Sequence, residues 1–190
     1  MNLKTNNIDT LCEFISSKNS KIIGLDGSLK AGKSTLGEIL SVKYNTNLIS
    51  FDNYLPPILK GRYPEFLKLD QLKRDVNETI EENCYVIIEG ICFLEVINKI
   101  EINHEIRIYV RNKYENFWVN EDLDEEGLSS VIKKIEDSYS EVNAVDILFE
   151  TPNASIESEE EAFGITIAKY HNIYRPMITA DIIYEWDKET

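Results

Sequence analysis

Residues 27–34 read Gly-Ser-Leu-Lys-Ala-Gly-Lys-Ser, and Thr35 follows. The spacing is G-x-x-x-x-G-K-[ST], a phosphate-binding P-loop, and it dictates its own surroundings. The two glycines let the backbone curl until successive N–H groups converge on one centre. A strand has to lead in and a helix has to lead out, so that the helix N-terminus faces the same anion. The flanks comply. Lys21-Ile22-Ile23-Gly24-Leu25-Asp26 is a short apolar strand, and Thr35-Leu36-Gly37-Glu38-Ile39-Leu40 carries apolar residues at helical spacing. The loop residues Gly27, Ser28, Leu29, Lys30, Ala31, Gly32, Lys33, Ser34 and Thr35 are therefore the expected nucleotide-binding set. Lys33 suits the β- and γ-phosphates, and the Ser34 hydroxyl suits Mg²⁺.

The rest of the chain repeats the alternation of strand and helix. An amphipathic helix is expected over 7–18, with Ile8, Leu11, Cys12 and Ile15 on one face. Strands are expected over 21–26, 47–51, 84–88, 105–110 and 181–185, and helices over 33–44, 70–82, 113–120, 128–141 and 156–174. Asp70 stands where an N-cap would be. Pro56, Pro57, Gly61 and Pro64 break the chain into a loop between the second strand and the next helix. Such alternation predicts an α/β fold, a three-layer, doubly wound parallel sheet of about five strands. The 190 residues read as a single domain with an acidic, lid-like segment at about 112–160.

Charge narrows the function classes. The net charge is −14, and it is concentrated: from Glu121 to Glu161 there are fourteen Asp or Glu residues against two lysines, a net of −12. No basic stripe is present to grip a phosphate backbone, so nucleic acid is not an expected partner. A nucleotide is still compatible, because loop amides, Lys33 and a cation meet its phosphates locally and exposed charges beyond about 8 Å are screened. Apolar runs are far shorter than a membrane span, and the polar N-terminus lacks a signal-peptide core. Cys12, Cys84 and Cys92 form no CxxC pair and read as reduced thiols, so a cytoplasmic location is expected.

In doubly wound sheets, ligands bind beyond the carboxyl ends of the strands. Asp52 follows the second strand and Glu89 ends the run Tyr85-Val86-Ile87-Ile88, so both are expected to share a crevice with the P-loop. Asp52 is the candidate to orient an acceptor hydroxyl and take its proton, and Glu89 is the candidate to stand near Mg²⁺. Asp26 would repel phosphates and is expected to point away from them. His104 and His171 lack a metal-binding spacing, and Tyr170 and Tyr174 are expected to pack on one helix face.

The P-loop, Phe51-Asp52-Asn53-Tyr54 and Val86-Ile87-Ile88-Glu89-Gly90 together resemble the uridine kinase and phosphoribulokinase-like group of P-loop kinases. The resemblance is strongest over about residues 21–94, and it returns weakly near Tyr174-Arg175-Pro176 and Ala180-Asp181-Ile182-Ile183. It implies a nucleoside-kinase-like P-loop NTPase fold, with Asp52 as catalytic base and Glu89 at the metal, joining the catalytic Lys33 and metal-binding Ser34 read from the loop itself. It also implies Tyr54 near the substrate, and Arg62 and Tyr63 in a substrate-side hairpin where uridine kinases carry a His before the Pro. The lid departs from that pattern: residues 112–161 contain no arginine, leaving Arg111 after the fourth strand as the nearest guanidinium.

Two readings follow. In the first, the chain is an ATP- and magnesium-dependent kinase transferring the γ-phosphate to a hydroxyl of a nucleoside, sugar or related metabolite, with Arg111 joining Asp52, Tyr54, Arg62 and Tyr63 around the acceptor. In the second, it is a nucleotide-binding regulatory P-loop protein with little or no transfer. The expected partners are a nucleotide and a small-molecule acceptor, with no membrane. The oligomeric state stays open, a homodimer being one option.

Overall fold

The computed structural model describes residues 3–18, 20–56, 63–83, 85–103, 106–112, 121–149 and 154–187, with side chains outside 139–161. The elements in order are β1 (Leu3–Thr5), α1 (Ile8–Lys18), β2 (Ile22–Asp26), α2 (Lys33–Tyr44), β3 (Leu48–Ser50) and a 3₁₀ turn (Phe51–Tyr54). Then come α3 (Leu69–Glu82), β4 (Val86–Glu89), α4 (Phe93–Ile100), β5 (Ile106–Asn112), α5 (Glu125–Phe149), α6 (Ala154–Tyr174), α7 (Pro176–Thr179) and β6 (Ile182–Trp186).

The sheet is parallel throughout, in the order β1-β6-β5-β2-β4-β3. It therefore has six described strands and not the expected five. The addition is β1, whose three residues pair with Ile182–Tyr184 at one edge and are too short to read from periodicity. The chain runs from β2 outward to β3 by way of α2, returns to β4, and then crosses β2 to reach β5. That reversal at β2 is a topological switch point, and the P-loop stands on it.

Parallel strands are buried on both faces, and successive residues of each strand pack on opposite sides of the sheet. Ile23, Leu25, Ile87, Ile106, Ile108 and Val110 pack under α1 and α2 with Leu11, Ile15, Leu36 and Leu40. Ile22, Val86 and Ile88 pack on the other side with Leu72 and Val76 of α3, Phe93, Val96 and Ile97 of α4, and Tyr170 of α6. Each fully buried side chain of this size contributes about 2 kcal/mol. The helix α4, which the sequence reading passed over, has an apolar stripe at 93, 96, 97 and 100 and lies wholly against this core.

The start of α3 differs from expectation for a local reason. Lys68 holds the N-cap position of α3 and Asp70 lies inside the first turn, where its charge favours the helix dipole without capping it. The acidic segment is rooted in the core: Val131 and Ile135 of α5 are buried with Ile167 and Ala168 of α6, and the two helices pack on each other. Expected features at Cys84, His104 and 113–120 lie outside the described residues. Among the described residues, no helix is long and apolar enough to cross a membrane.

Candidate functional site

The loop between β2 and α2 takes its shape from two glycines. Gly27 has φ +147°, and a Cβ there would stand 2.3 Å from the Val110 carbonyl oxygen of β5. Gly32 has φ +82° and caps α2 in the left-handed region without a side-chain cap. A Cβ on Gly32 would come within 2.4 Å of Trp186 Nε1. The indole at the end of β6 thus presses on the loop from the side. No capping side chain takes the first amides of α2, while the Leu36 amide turns back to the Gly32 carbonyl at 3.0 Å. Free amides at a helix N-terminus, preceded by a curled loop, form an anion cradle.

Lys33 is buried, and its Nζ donates to the Ser28 carbonyl at 2.7 Å across the loop. Burial pulls its pKa down, and the nearby carboxylates of Glu89, Asp26 and Asp52 oppose that shift. A polyphosphate here would add negative charge around the ammonium and hold its proton more firmly.

Glu89 ends β4, beside β2 in the sheet, and is almost wholly buried. Its Oε1 accepts a 3.2 Å hydrogen bond from Ser34 Oγ. Asp52 sits in the 3₁₀ turn after β3, exposed, with no hydrogen bond or ion pair to its carboxylate among the described residues. These groups meet in one cleft of about 520 Å³, walled by Leu29 to Thr35 on the loop side and by Asp52 and Glu89 to Ile91 opposite.

The structure thus brings the P-loop, Asp52 and Glu89 together and leaves the other expected contacts elsewhere. Tyr54 is buried, its hydroxyl donating to Asp75 Oδ2 at 2.7 Å. Burial and that carboxylate push its pKa up. Tyr63 is buried, its hydroxyl on the Ile91 carbonyl at 2.5 Å and its ring edge-on to Phe163. Tyr63 therefore supports the cleft wall at Ile91 from behind, and Tyr54 ties the turn that carries Asp52 to α3. Arg111 is held by Glu121 at 2.8 Å and Glu185 at 3.8 Å. Arg62 lies outside the described residues. Of the described arginines, Arg74, Arg107, Arg111 and Arg175, none lines the cleft.

Asp26 does turn from the phosphate position. It is fully buried, with Oδ1 accepting the Gly27 amide at 2.8 Å and Oδ2 accepting Arg107 Nη1 at 3.2 Å and the Tyr170 hydroxyl at 2.6 Å. Burial raises its pKa, and Arg107, Tyr170 and the Gly27 amide work against the rise. The sequence reading missed Arg107, Tyr109 and Trp186. The alternation Ile106-Arg107-Ile108-Tyr109-Val110-Arg111 was the available signal, since a central strand with one polar face needs buried partners for it.

No family model and no curated protein matches the chain. Among solved structures, it is similar to a shikimate kinase from Bacteroides thetaiotaomicron, at 16% identity and a TM-score of 0.43, over 88% of this chain and 87% of that one. It is also similar to a candidate kinase from Chloroflexus aurantiacus, at 12% identity and a TM-score of 0.40, over 88% of this chain and 85% of that one. Neither likeness carries a substrate or a residue role to this chain.

Proposed function

We propose that this protein is an ATP-dependent small-molecule kinase that transfers a γ-phosphate to an acceptor hydroxyl. One observation carries the reading: an anion cradle, a buried carboxylate paired with the P-loop serine, and a second carboxylate with no hydrogen bond or ion pair among the described residues face one another across one cleft. A nucleotide binder needs the first. Phosphoryl transfer needs the other two as well.

In this reading the loop amides and Lys33 hold the β- and γ-phosphates. Ser34 Oγ and Glu89 Oε1 are oxygen donors of the kind Mg²⁺ accepts, so they would hold it directly or through its waters. Bound there, the cation supplies charge neutralisation for the phosphates. Asp52, on the opposite wall, orients the acceptor hydroxyl and takes its proton as the phosphoryl group departs. The resemblance of the three strand-end stretches to uridine kinase-like enzymes supports a nucleoside, sugar or related metabolite as acceptor. The test is labelled ATP against a panel of nucleosides, sugars and sugar phosphates, with Asp52→Asn as control. Transfer to no member of the panel, or transfer indifferent to Asp52→Asn, contradicts the reading.

A second reading is a nucleotide-binding regulatory protein. The observation favouring it is the pairing of Arg111 with Glu121 and Glu185, which leaves no described guanidinium at the cleft to stabilise charge in transfer. Tight Mg·ATP binding with neither transfer nor hydrolysis would favour this alternative.

A further inference from the structure

We propose that Tyr170 is a positioning residue for the phosphate cradle, its hydroxyl joining helix α6 both to the strand that leads into the P-loop and to the helix that follows the Glu89–Ile91 wall. This deepens the kinase reading and rests on it. A phenol offers one proton and accepting lone pairs, and both are engaged here. The proton goes to Asp26 Oδ2 at 2.6 Å, and the oxygen accepts the Leu94 amide at 3.1 Å. Asp26 in turn holds the Gly27 amide at 2.8 Å, the first of the loop. Leu94 lies in the first turn of α4, close after the Glu89-Gly90-Ile91 wall. One hydroxyl therefore spans three elements that are far apart in sequence.

The junction is buried throughout. Asp26 is 0% and Tyr170 2% exposed, so water offers no easy replacement for a lost partner. Gly27 is fixed from its other side by the Val110 carbonyl, which blocks any side chain there. The groups facing Asp26 are Arg107 and Tyr109 from β5, Tyr170 from α6, Lys33 from α2, Cys92 ahead of α4, and Tyr63. Arg107 continues the junction to α7 through the Pro176 carbonyl at 3.0 Å and Thr179 Oγ1 at 2.5 Å. Shifts of the α5–α6 pair thereby reach the first amide of the cradle through one bond on each side of a carboxylate.

The experiment uses the full chain and Tyr170→Phe, which keeps the ring and removes the hydroxyl. In the nucleotide-free protein, amide hydrogen exchange at Gly27 and Leu94 should each quicken about tenfold, with Ile106 and Ile108 unchanged. Calorimetry should show Mg·ATP binding weakened about tenfold at pH 8 and further at pH 6, because Asp26, short of one donor, then takes a proton more readily. Adding Asp26→Asn to Tyr170→Phe should remove the extra loss at pH 6. Should Tyr170→Phe fail to fold, Asp26→Asn alone serves: it should quicken exchange at Leu94, which Asp26 does not touch. Unchanged exchange at both amides, together with wild-type affinity at both pH values, overturns the inference. A wild-type chain that binds no Mg·ATP defeats the kinase reading instead, and the exchange data then decide the Tyr170 junction on their own.

Discussion

Ser34 Oγ donates a 3.2 Å hydrogen bond to Glu89 Oε1, closing the C-terminal ends of the neighbouring strands β2 and β4 over residues 55 apart in sequence. A serine at the head of a helix and a carboxylate 3% exposed meet at the mouth of a phosphate cradle. In the proposed kinase reading these two oxygens are the donors offered to the cation.

Removing the charge at that seat separates metal from nucleotide. Glu89→Gln keeps an oxygen for Ser34 but loses the anion. Affinity for Mg·ATP should fall about tenfold or more, while affinity for ATP in EDTA stays within about twofold. Paired calorimetric titrations with and without Mg²⁺ measure this. An equal loss in both would mean that Glu89 serves the loop and not the cation.

Asp52 should behave in the opposite way. Its carboxylate is exposed and forms no hydrogen bond or ion pair among the described residues, so Asp52→Asn should change stability by no more than about 0.5 kcal/mol. Mg·ATP affinity should be retained, while transfer to an accepted substrate falls about 10²- to 10⁴-fold. Thermal melts, calorimetry and a transfer assay on one preparation check all three.

Much of this arrangement can be read from the residues themselves. The P-loop, Asp52 and Glu89 each directly follow an apolar strand, and the rule that ligands gather at strand ends places them together without any structure. Tyr54, Tyr63 and Arg111 carry side chains that suit a substrate, and sequence alone does not show where a hydroxyl or guanidinium finds its partner. The partners, Asp75, the Ile91 carbonyl, Glu121 and Glu185, come from elements distant in the chain or from a backbone atom. β1 is not legible because three residues carry no periodicity, and α4 because eight residues give barely two helical turns of pattern.

The Trp186–Gly32 contact is legible only in three dimensions, and it predicts an effect at the nucleotide from the end of β6. Trp186→Ala removes the indole that packs beside the loop and Tyr184. It should cost about 2 kcal/mol of stability, below the range for a fully buried tryptophan because this one is half-buried. Mg·ATP affinity should fall about tenfold as Gly32 loses its lateral support. Trp186→Phe should recover most of both, since the indole N–H has no hydrogen-bond partner among the described residues. Urea denaturation and calorimetry on the two variants test it.

His171 gives the fold a pH dependence of its own. It is buried, its Nδ1–H donates to the Glu121 carbonyl at 3.1 Å, and burial pushes its pKa from 6.5 down to about 4. The folded imidazole stays neutral where the unfolded one gains a proton, so stability is lost as pH falls from about 6.5 toward 4. Between pH 7.5 and 5 this group should remove about 2 kcal/mol. His171→Asn can keep the bond to Glu121 and cannot titrate. Its unfolding free energy should therefore fall less over that interval, by about the same amount. Parallel slopes for the two proteins would contradict this account of His171.

In the proposed reading the backbone from Gly27 to Ser34 holds a polyphosphate with Lys33 and a cation. Calorimetric titration of the purified chain with Mg·ATP tests it most directly, with Lys33→Ala as the paired sample. The wild type should bind saturably, one to one, and the variant should lose about a hundredfold or more, the share of a buried, charge-assisted contact. No heat of binding from a folded wild-type chain, or equal affinity in the two proteins, would contradict it.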